Sequence, residues 1–293
     1  MTGALVAEGQ ALVAGTRWYD LRDRVSGALR RVFLWVPPGE MPKRGWPSLV
    51  LTDGNAVIAT AVDAMRAQSA YPAASNLGPG VLIAVGYPTE AAFDPLRRSW
   101  DLGPPPGATY PPFWPGTPEV RTGGGAEMAR FLLEDLRDFL TEQGVILDPS
   151  RRGLFGHSFG GLFALWLMFT RPEAFSHWIA ASPSITWEDS FLLRHLERFA
   201  PAGRSLTVHL SAGEWEGSRL APFLARPEDA QEAEARRAAL LRHRTLEAAR
   251  EMHAALARFP ELTLRFEEYA GETHMSVLSV AVGRALHTVF ALR

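Results

Sequence analysis

Apolar residues fall into short continuous runs that alternate with stretches of helical spacing. Uninterrupted apolar runs are typical of strands buried on both faces, whereas apolar positions three and four residues apart indicate amphipathic helices. The runs predict strands at 47–54, 80–88, 151–158, 174–184, 205–213 and 262–271. The helical spacing predicts helices at 55–68, 125–144, 160–172, 228–257 and 276–292. This alternation favours an α/β fold with a mostly parallel sheet and helices on both faces.

Two further strands are predicted before this alternation begins. Residues 16–23 and 28–38 are separated by Val25, Ser26 and Gly27, which suit a hairpin turn, so the sheet is expected to start antiparallel. Residues 101–118 are dominated by proline and glycine and are predicted to be irregular. Because the chain shows no internal repeat and no long linker, we predict one domain over residues 1–293.

Composition narrows the classes of function. A chain of 293 residues that is 47% hydrophobic can bury a large core. A net charge of −2 without a basic cluster excludes the usual footprint of a nucleic-acid partner. The absence of cysteine excludes disulfides, thiolate catalysis and Cys-ligated zinc, and we expect neither a metal nor another cofactor.

The amino terminus does not resemble a signal peptide. Glu8 and Gln10 interrupt the apolar run that such a peptide needs, and no stretch of about eighteen apolar residues occurs elsewhere. We therefore expect a cytoplasmic protein without membrane insertion.

The stretch GLFGHSFGG, residues 153–161, carries the clearest chemical signal. Gly156, Ser158 and Gly160 match G-x-S-x-G between a predicted strand and a predicted helix. Side chains two positions from a serine in so tight a turn would collide, and glycine removes that collision. The alternative is a glycine turn with a capping serine, but the strand–turn–helix context favours Ser158 as a nucleophile.

A serine hydroxyl needs a base, which in this arrangement follows the acid in chain order. His274 lies in the loop between the last strand and the last helix, where the carboxyl edge of the sheet is expected. His243 and His253 are predicted to be solvated in the long charged helix, and His287 to pack within the last helix. His157 should point away from the nucleophile and pack beneath the turn. We predict His274 as the base.

The acid is expected after the strand at 205–213, where Glu214 and Glu216 are available. Where a serine, an acid and a histidine follow one another in this order, the acid usually lies about three residues past the glycine that ends the strand, which favours Glu216. Glu214 is the alternative, and exposed turn carboxylates are a third interpretation.

Two backbone N–H groups are needed to bind the oxyanion. One is predicted to belong to Phe159, directly after the nucleophile, and the other to Gly54 or Asn55 after the third strand. A plain turn is the alternative for the TDGN sequence.

Together these segments resemble the putative-esterase family of α/β hydrolases, and within it the siderophore esterases that open enterobactin, salmochelin and bacillibactin. The resemblance is carried by LTDGNAV, by GYPTEAAFDPLRRSWDL with its Arg-x-x-Asp element, by GGGAEMARFLLEDL, by GHSFGGLFALW, by AASPSITWED and by GETHMSVLSVAVGRAL. It implies a serine esterase that acts through an acyl-enzyme on a catecholate trilactone. Any iron would then belong to the small-molecule substrate and would not be a cofactor.

The chain also departs from the family pattern. Exported salmochelin-type enzymes carry a signal, and cytoplasmic enterobactin-type enzymes carry an extra N-terminal domain; neither is expected here. The proline-rich loop at 102–118 is longer than the family pattern, so the substrate pocket is expected to differ.

Three side chains are candidates for substrate binding. Arg98 offers a fixed fork of donors for an anionic or catecholate oxygen, or else forms an ion pair with Asp101. Trp114 and Trp187, with Phe113, either wall an aromatic pocket or pack loops.

Other functions remain open on the residues alone. They are hydrolysis of aryl esters, of acetylated sugars or of S-formylglutathione, acyl transfer to a sugar, and binding by a catalytically inactive hydrolase fold.

Overall fold

The computed structural model describes residues 13–201, 203–224 and 230–292. The strands are β1 (Thr16–Arg22), β2 (Leu29–Trp35), β3 (Trp46–Thr52), β4 (Val81–Gly86), β5 (Thr109–Tyr110), β6 (Val120–Arg121), β7 (Leu147–His157), β8 (His177–Ala181), β9 (Leu206–Gly213) and β10 (Leu262–Tyr269). Glu8 and Gln10, on which the prediction about a signal peptide depends, lie outside the described residues.

The helices follow the predicted alternation, with several short ones added. They are α1 (Gly54–Ser69), α2 (Pro72–Ser75), α3 (Pro95–Leu102), α4 (Gly125–Arg130), α5 (Leu136–Glu142), α6 (Phe159–Thr170), α7 (Trp187–Ser190), α8 (Leu192–Glu197), α9 (Ala230–His243), α10 (Thr245–Leu256) and α11 (Val277–Phe290). A π-helical turn, Phe131–Asp135, joins α4 to α5. Within the described ranges, no helix has both the length and the apolar character needed to cross a bilayer.

Eight strands form one sheet in the order β1-β2-β4-β3-β7-β8-β9-β10. The β1–β2 hairpin is antiparallel, with Thr16 opposite Trp35, and β2 also pairs antiparallel with β4. All other neighbours in this sheet are parallel. The predicted α/β class, with a mostly parallel sheet and an antiparallel start, is confirmed.

Helices cover both faces of the sheet, and this explains the unbroken apolar runs. In β3, Leu49 and Leu51 pack with residues of α1 and α11, whereas Val50 between them packs with residues of α4 to α6. Successive strand residues point to opposite faces, so a strand between two cores is apolar at every position. The carboxyl ends of β3, β7, β8, β9 and β10 meet at one edge, which positions the loops described below.

The prediction of one helix over 228–257 is wrong at one position. Arg244, with φ 44° and ψ 40°, has a left-handed conformation that separates α9 from α10; residues 228 and 229 lie outside the described part. The apolar face of α10 packs on β9 and β10, while α9 carries Leu240 and His243 to a cavity.

The proline-rich segment is largely irregular, as predicted, but it contributes one strand. β5 pairs with β6 as a short antiparallel ribbon, in which Thr109 lies opposite Arg121. Beyond β5, Phe113 and Trp114 contact each other and are 50% and 59% exposed.

Candidate active site

Ser158 occupies a sharp turn between β7 and α6. Its φ of 58° and ψ of −115° are strained for a residue with a side chain, and such strain is characteristic of functional turns. A Cβ on Gly156 would collide with the carbonyl of Gly160, and a Cβ on Gly160 would collide with Thr52. Gly156 is therefore required by the close approach of the Gly160 backbone, and Gly160 by the Thr52 side chain.

Three side chains from separate loops form a continuous hydrogen-bonded relay. His274 Nε2 lies 3.0 Å from Ser158 Oγ, and His274 Nδ1 lies 2.6 Å from Glu216 Oε2. The three residues follow β7, β10 and β9, so parallel strands bring them to one edge of the sheet. With Nδ1–H donating to the carboxylate, Nε2 is left free to accept the serine proton.

Glu216 is almost fully buried, and its second oxygen is also held. Glu216 Oε1 accepts a hydrogen bond from Ser182 Oγ at 2.5 Å and one from the Gly213 N–H at 2.8 Å. Burial acts to raise the pKa of Glu216, but His274 and these two donors outweigh it and lower the pKa below its usual value. The carboxylate is thus kept charged beside the imidazole.

The alternative acid, Glu214, lies elsewhere. Its Oε1 is 3.2 Å from an Arg219 nitrogen, and its Oε2 accepts the Gly271 N–H at 2.8 Å. The structure therefore brings Glu216, and not Glu214, to His274.

His157 packs beneath the turn, as predicted, and also makes a hydrogen bond. Its Nε2 lies 2.7 Å from the backbone carbonyl oxygen of His274. Burial, with a smaller contribution from His274, lowers the pKa of His157 to about 4, so its imidazole is neutral near pH 7.

The predicted oxyanion donors lie at two helix N-termini. Phe159 is the first residue of α6, and Gly54 is the first residue of α1, so their N–H groups lack acceptors within the helix. The side chain of Asn55 is engaged with the backbone of Tyr87 and Thr89, which ties the start of α1 to the end of β4. Of the donors of Asn55, only the backbone N–H therefore remains available to an oxyanion.

A cavity of about 590 Å³ opens beside the relay. This volume is in the range of small-molecule sites. Most of its wall comes from the segment between β9 and β10. Its lining residues are Ser158, Ser184, Thr186, Trp215, Glu216, Leu220, Phe223, Leu240, His243, Thr245, Thr273, His274 and Met275.

The aromatic wall differs from the predicted one. Trp215 and Phe223 line the cavity, whereas Trp114 and Trp187 are not among its described lining residues. Trp187 packs edge-on against Phe159 with ring centroids 5.6 Å apart, so it adjoins the turn that carries Ser158. His243 is exposed, as predicted, but it also borders the cavity.

Arg98 does not form the predicted alternative pair with Asp101. Its Nε and Nη2 contact the two carboxylate oxygens of Asp53 at 2.9 and 3.0 Å, and Asp101 instead binds Arg30 at 2.8 Å. Asp53 directly precedes Gly54, so this carboxylate links the guanidinium to the segment that carries the predicted oxyanion donors.

Sequence reasoning did not single out Ser182 or Ser184. Ser182 holds Glu216, and Ser184 Oγ lies 3.5 Å from Ser158 Oγ. Both belong to the AASPS sequence at the end of β8. Because β8 lies between β7 and β9 in the sheet, its end could have been expected near Ser158 and Glu216. In the described part of the chain, no group of three or more His, Asp or Glu side chains is arranged to hold a metal ion.

Comparisons with known proteins show which family this chain resembles. The family model described as Putative esterase matches residues 26–255. The ferri-bacillibactin esterase BesA of Bacillus subtilis is 32% identical over 287 residues, covering 96% of this chain and 90% of the relative. The siderophore enterobactin esterase of Emericella nidulans is 36% identical over 260 residues, covering 85% and 83%.

Solved structures show the same similarity. The siderophore hydrolase EstA from Aspergillus nidulans superimposes with a TM-score of 0.83 at 29% identity, over 98% of this chain and 97% of that chain. The predicted family resemblance and the α/β-hydrolase fold are thereby confirmed.

Proposed function

Because the chain belongs to the putative esterase family of α/β hydrolases and is a carboxylic ester hydrolase, we propose that it hydrolyses siderophore esters through Ser158. The observation that carries this proposal is the Ser158–His274–Glu216 relay, which opens onto a cavity of about 590 Å³. Relatives named as siderophore esterases match most of the chain and support this class of substrate.

In the first half of the proposed reaction, Ser158 Oγ attacks the ester carbonyl carbon while His274 Nε2 accepts the hydroxyl proton. The tetrahedral oxyanion is bound by the N–H of Phe159 and by that of Gly54 or Asn55. When the intermediate collapses, His274 returns the proton to the leaving alcohol oxygen, and an acyl-enzyme remains on Ser158.

In the second half, His274 removes a proton from water, and the resulting nucleophile attacks the acyl-enzyme carbonyl. When the second intermediate collapses, His274 returns this proton to Ser158 Oγ, which restores the serine hydroxyl and releases the carboxylic acid. Glu216 stabilises the imidazolium that forms in both halves, because its carboxylate is buried, charged and 2.6 Å from Nδ1.

The substrate we propose is a trilactone siderophore with catecholate arms, either iron-free or as its iron complex. The cavity supports this choice through Trp215 and Phe223, whose rings offer apolar surface to aromatic groups. Iron would enter and leave with the substrate.

The proposal is tested by incubating the protein with an enterobactin-like trilactone, iron-free and ferric, and with p-nitrophenyl acetate. Mass spectrometry should show stepwise ring opening of the trilactone, and Ser158→Ala should abolish it. Turnover of p-nitrophenyl acetate without turnover of the trilactone would reject the siderophore substrate. Labelling of the protein, but not of Ser158→Ala, by a fluorophosphonate tests the nucleophile separately.

A further inference from the structure

We propose that His157 is a positioning residue for this reaction. Its Nε2–H holds the backbone of His274, which keeps the imidazole of the base within hydrogen-bonding distance of Ser158 Oγ. This role rests on the proposed function of His274.

The position of His157 in the sheet makes this contact possible. As the last residue of β7, it shares the α1 and α11 face with Phe155, two positions before it. The loop that carries His274 enters α11 on that same face, and His157 lies directly beneath it with only 3% of its surface exposed. A peptide carbonyl only accepts hydrogen bonds, so His157 Nε2 must carry the proton in the 2.7 Å contact.

The contact completes a closed ring of bonded residues that includes the base and the nucleophile. His157 is bonded covalently to Ser158, Ser158 Oγ lies 3.0 Å from His274 Nε2, and the His274 carbonyl returns to His157. Other bonds in this loop fix neighbouring residues: Trp215 N–H donates to the Glu272 carbonyl, and Thr273 N–H donates to Ser276 Oγ. His157 fixes the backbone of the base itself.

A neutral His157 is favourable because the ring of His274 lies next to it. Its ring centroid lies 4.8 Å from that of His274, which becomes an imidazolium during the reaction. A second cation at that distance would oppose the proton transfer. Burial and the charge of the His274 ring lower the pKa of His157, whereas Glu216, Asp53 and the hydrogen bond to the His274 carbonyl raise it. The resulting pKa of about 4 keeps the imidazole neutral at working pH.

The test compares His157→Gln with His157→Met. Glutamine places an amide N–H near the position of the imidazole Nε2, whereas methionine has the same chain length and no donor. We expect His157→Met to lower kcat by about 10- to 100-fold with KM nearly unchanged, since a base displaced by about 1 Å can lose that much rate. His157→Gln should retain kcat within about threefold of the wild type, because a donor to the His274 carbonyl remains.

Equal kcat values in the two variants, at whatever level, would overturn the proposal. Should the methionine variant not fold, ¹⁵N NMR of the wild type decides instead. A neutral His157 with its proton on Nε2 at pH 7 supports the role, and an Nδ1–H tautomer or an imidazolium refutes it. Failure of the proposed function would appear separately, as activity that survives in Ser158→Ala.

Discussion

At the scale of single residues, two glutamates that are two positions apart have different environments. Glu216 is 2% exposed and accepts hydrogen bonds from His274, Ser182 and Gly213. Glu214 is half-buried, pairs with the exposed Arg219 and accepts the Gly271 N–H. The strand-end glycine allows this arrangement, because a side chain on Gly213 would collide with the Glu272 backbone and approach Glu216.

This difference predicts unequal effects of the same substitution. Glu216→Gln should lower kcat by about 10²- to 10⁴-fold, because a neutral amide does not stabilise the imidazolium. Glu214→Gln is the matched control and should remain within about twofold of the wild type, as exposed ion pairs contribute little. Steady-state kinetics on one ester measures both variants, and a larger loss for Glu214→Gln would contradict the assignment.

How far the candidate site could be predicted depends on what determines each residue's position. Ser158 is marked by local constraints, since the two glycines and the strand–helix turn lie within five residues. His274 and Glu216 were predicted from their places after strands. The partner of Arg98 could not be predicted, because Asp53 lies 45 positions away and meets it only through packing.

At the scale of secondary-structure elements, α3 is tied to the corner between β3 and α1. Arg98 in α3 binds both carboxylate oxygens of Asp53, whose side chain is 3% exposed. Asp53 itself has a left-handed conformation, with φ 54°, at the start of α1. The guanidinium neutralises a buried carboxylate directly before the proposed oxyanion donors.

We therefore expect Arg98→Met to reduce kcat/KM by about 10- to 100-fold, because an unpaired carboxylate beside the oxyanion opposes its charge. The loss should be similar for neutral p-nitrophenyl acetate and for an anionic siderophore ester. Adding Asp53→Asn should recover part of it, which a double-mutant cycle measures. A loss confined to the anionic substrate would show instead that Arg98 contacts the substrate directly.

The break between α9 and α10 is a second feature at this scale. The helical spacing of 228–257 continues through Arg244, so the sequence pattern alone does not reveal the break. The side chain of Arg244 pairs with Glu251 at 2.6 Å on the surface, but its backbone is left-handed. Tertiary packing of α10 on β9 and β10 thus outweighs local helical preference.

Two substitutions distinguish a break from a continuous helix. At a left-handed position, a protein with glycine should be more stable to unfolding than one with alanine by about 1 kcal/mol. Within a helix, the protein with alanine should be more stable by a similar amount. We expect Arg244→Gly to exceed Arg244→Ala in free energy of unfolding, measured by urea denaturation. Both variants lack the ion pair with Glu251, so its loss does not affect the comparison. A higher free energy of unfolding for Arg244→Ala would indicate one continuous helix.

At the scale of the whole molecule, buried neutral histidines link stability to pH. Burial is the largest cause that lowers the pKa of His157, His177 and His209, in each case to about 4. Unfolded histidine has a pKa of about 6.5, so between pH 6.5 and about 4 the unfolded chain binds more protons than the folded one. Stability must therefore fall as the pH falls through this window.

Each of these histidines should contribute up to about 1.4 kcal/mol of lost stability per pH unit. His177 is suited to a test because it begins β8, away from the candidate site. In His177→Gln, the dependence of unfolding free energy on pH should flatten by about that amount between pH 6 and pH 5. Urea denaturation at several pH values measures it, and unchanged slopes would refute a neutral, half-buried His177.

Much of the fold could be predicted because a strand covered on both faces leaves an unbroken apolar run, as in β4. The β5–β6 ribbon could not be predicted, since two-residue strands have no periodicity. The cavity wall was missed for a related reason: Trp215 and Phe223 lie in short turns, and only packing directs them toward Ser158.

The cavity wall has a consequence for how such a protein can diversify. A large part of it is contributed by one excursion of the chain that follows Glu216, from Leu220 to Thr245, between two adjacent parallel strands. The cost of closing an excursion rises only about 0.6 kcal/mol for each doubling of its length. Insertions, deletions and recombination can therefore reshape this segment, while Ser158, Glu216 and His274 keep their positions after the strands.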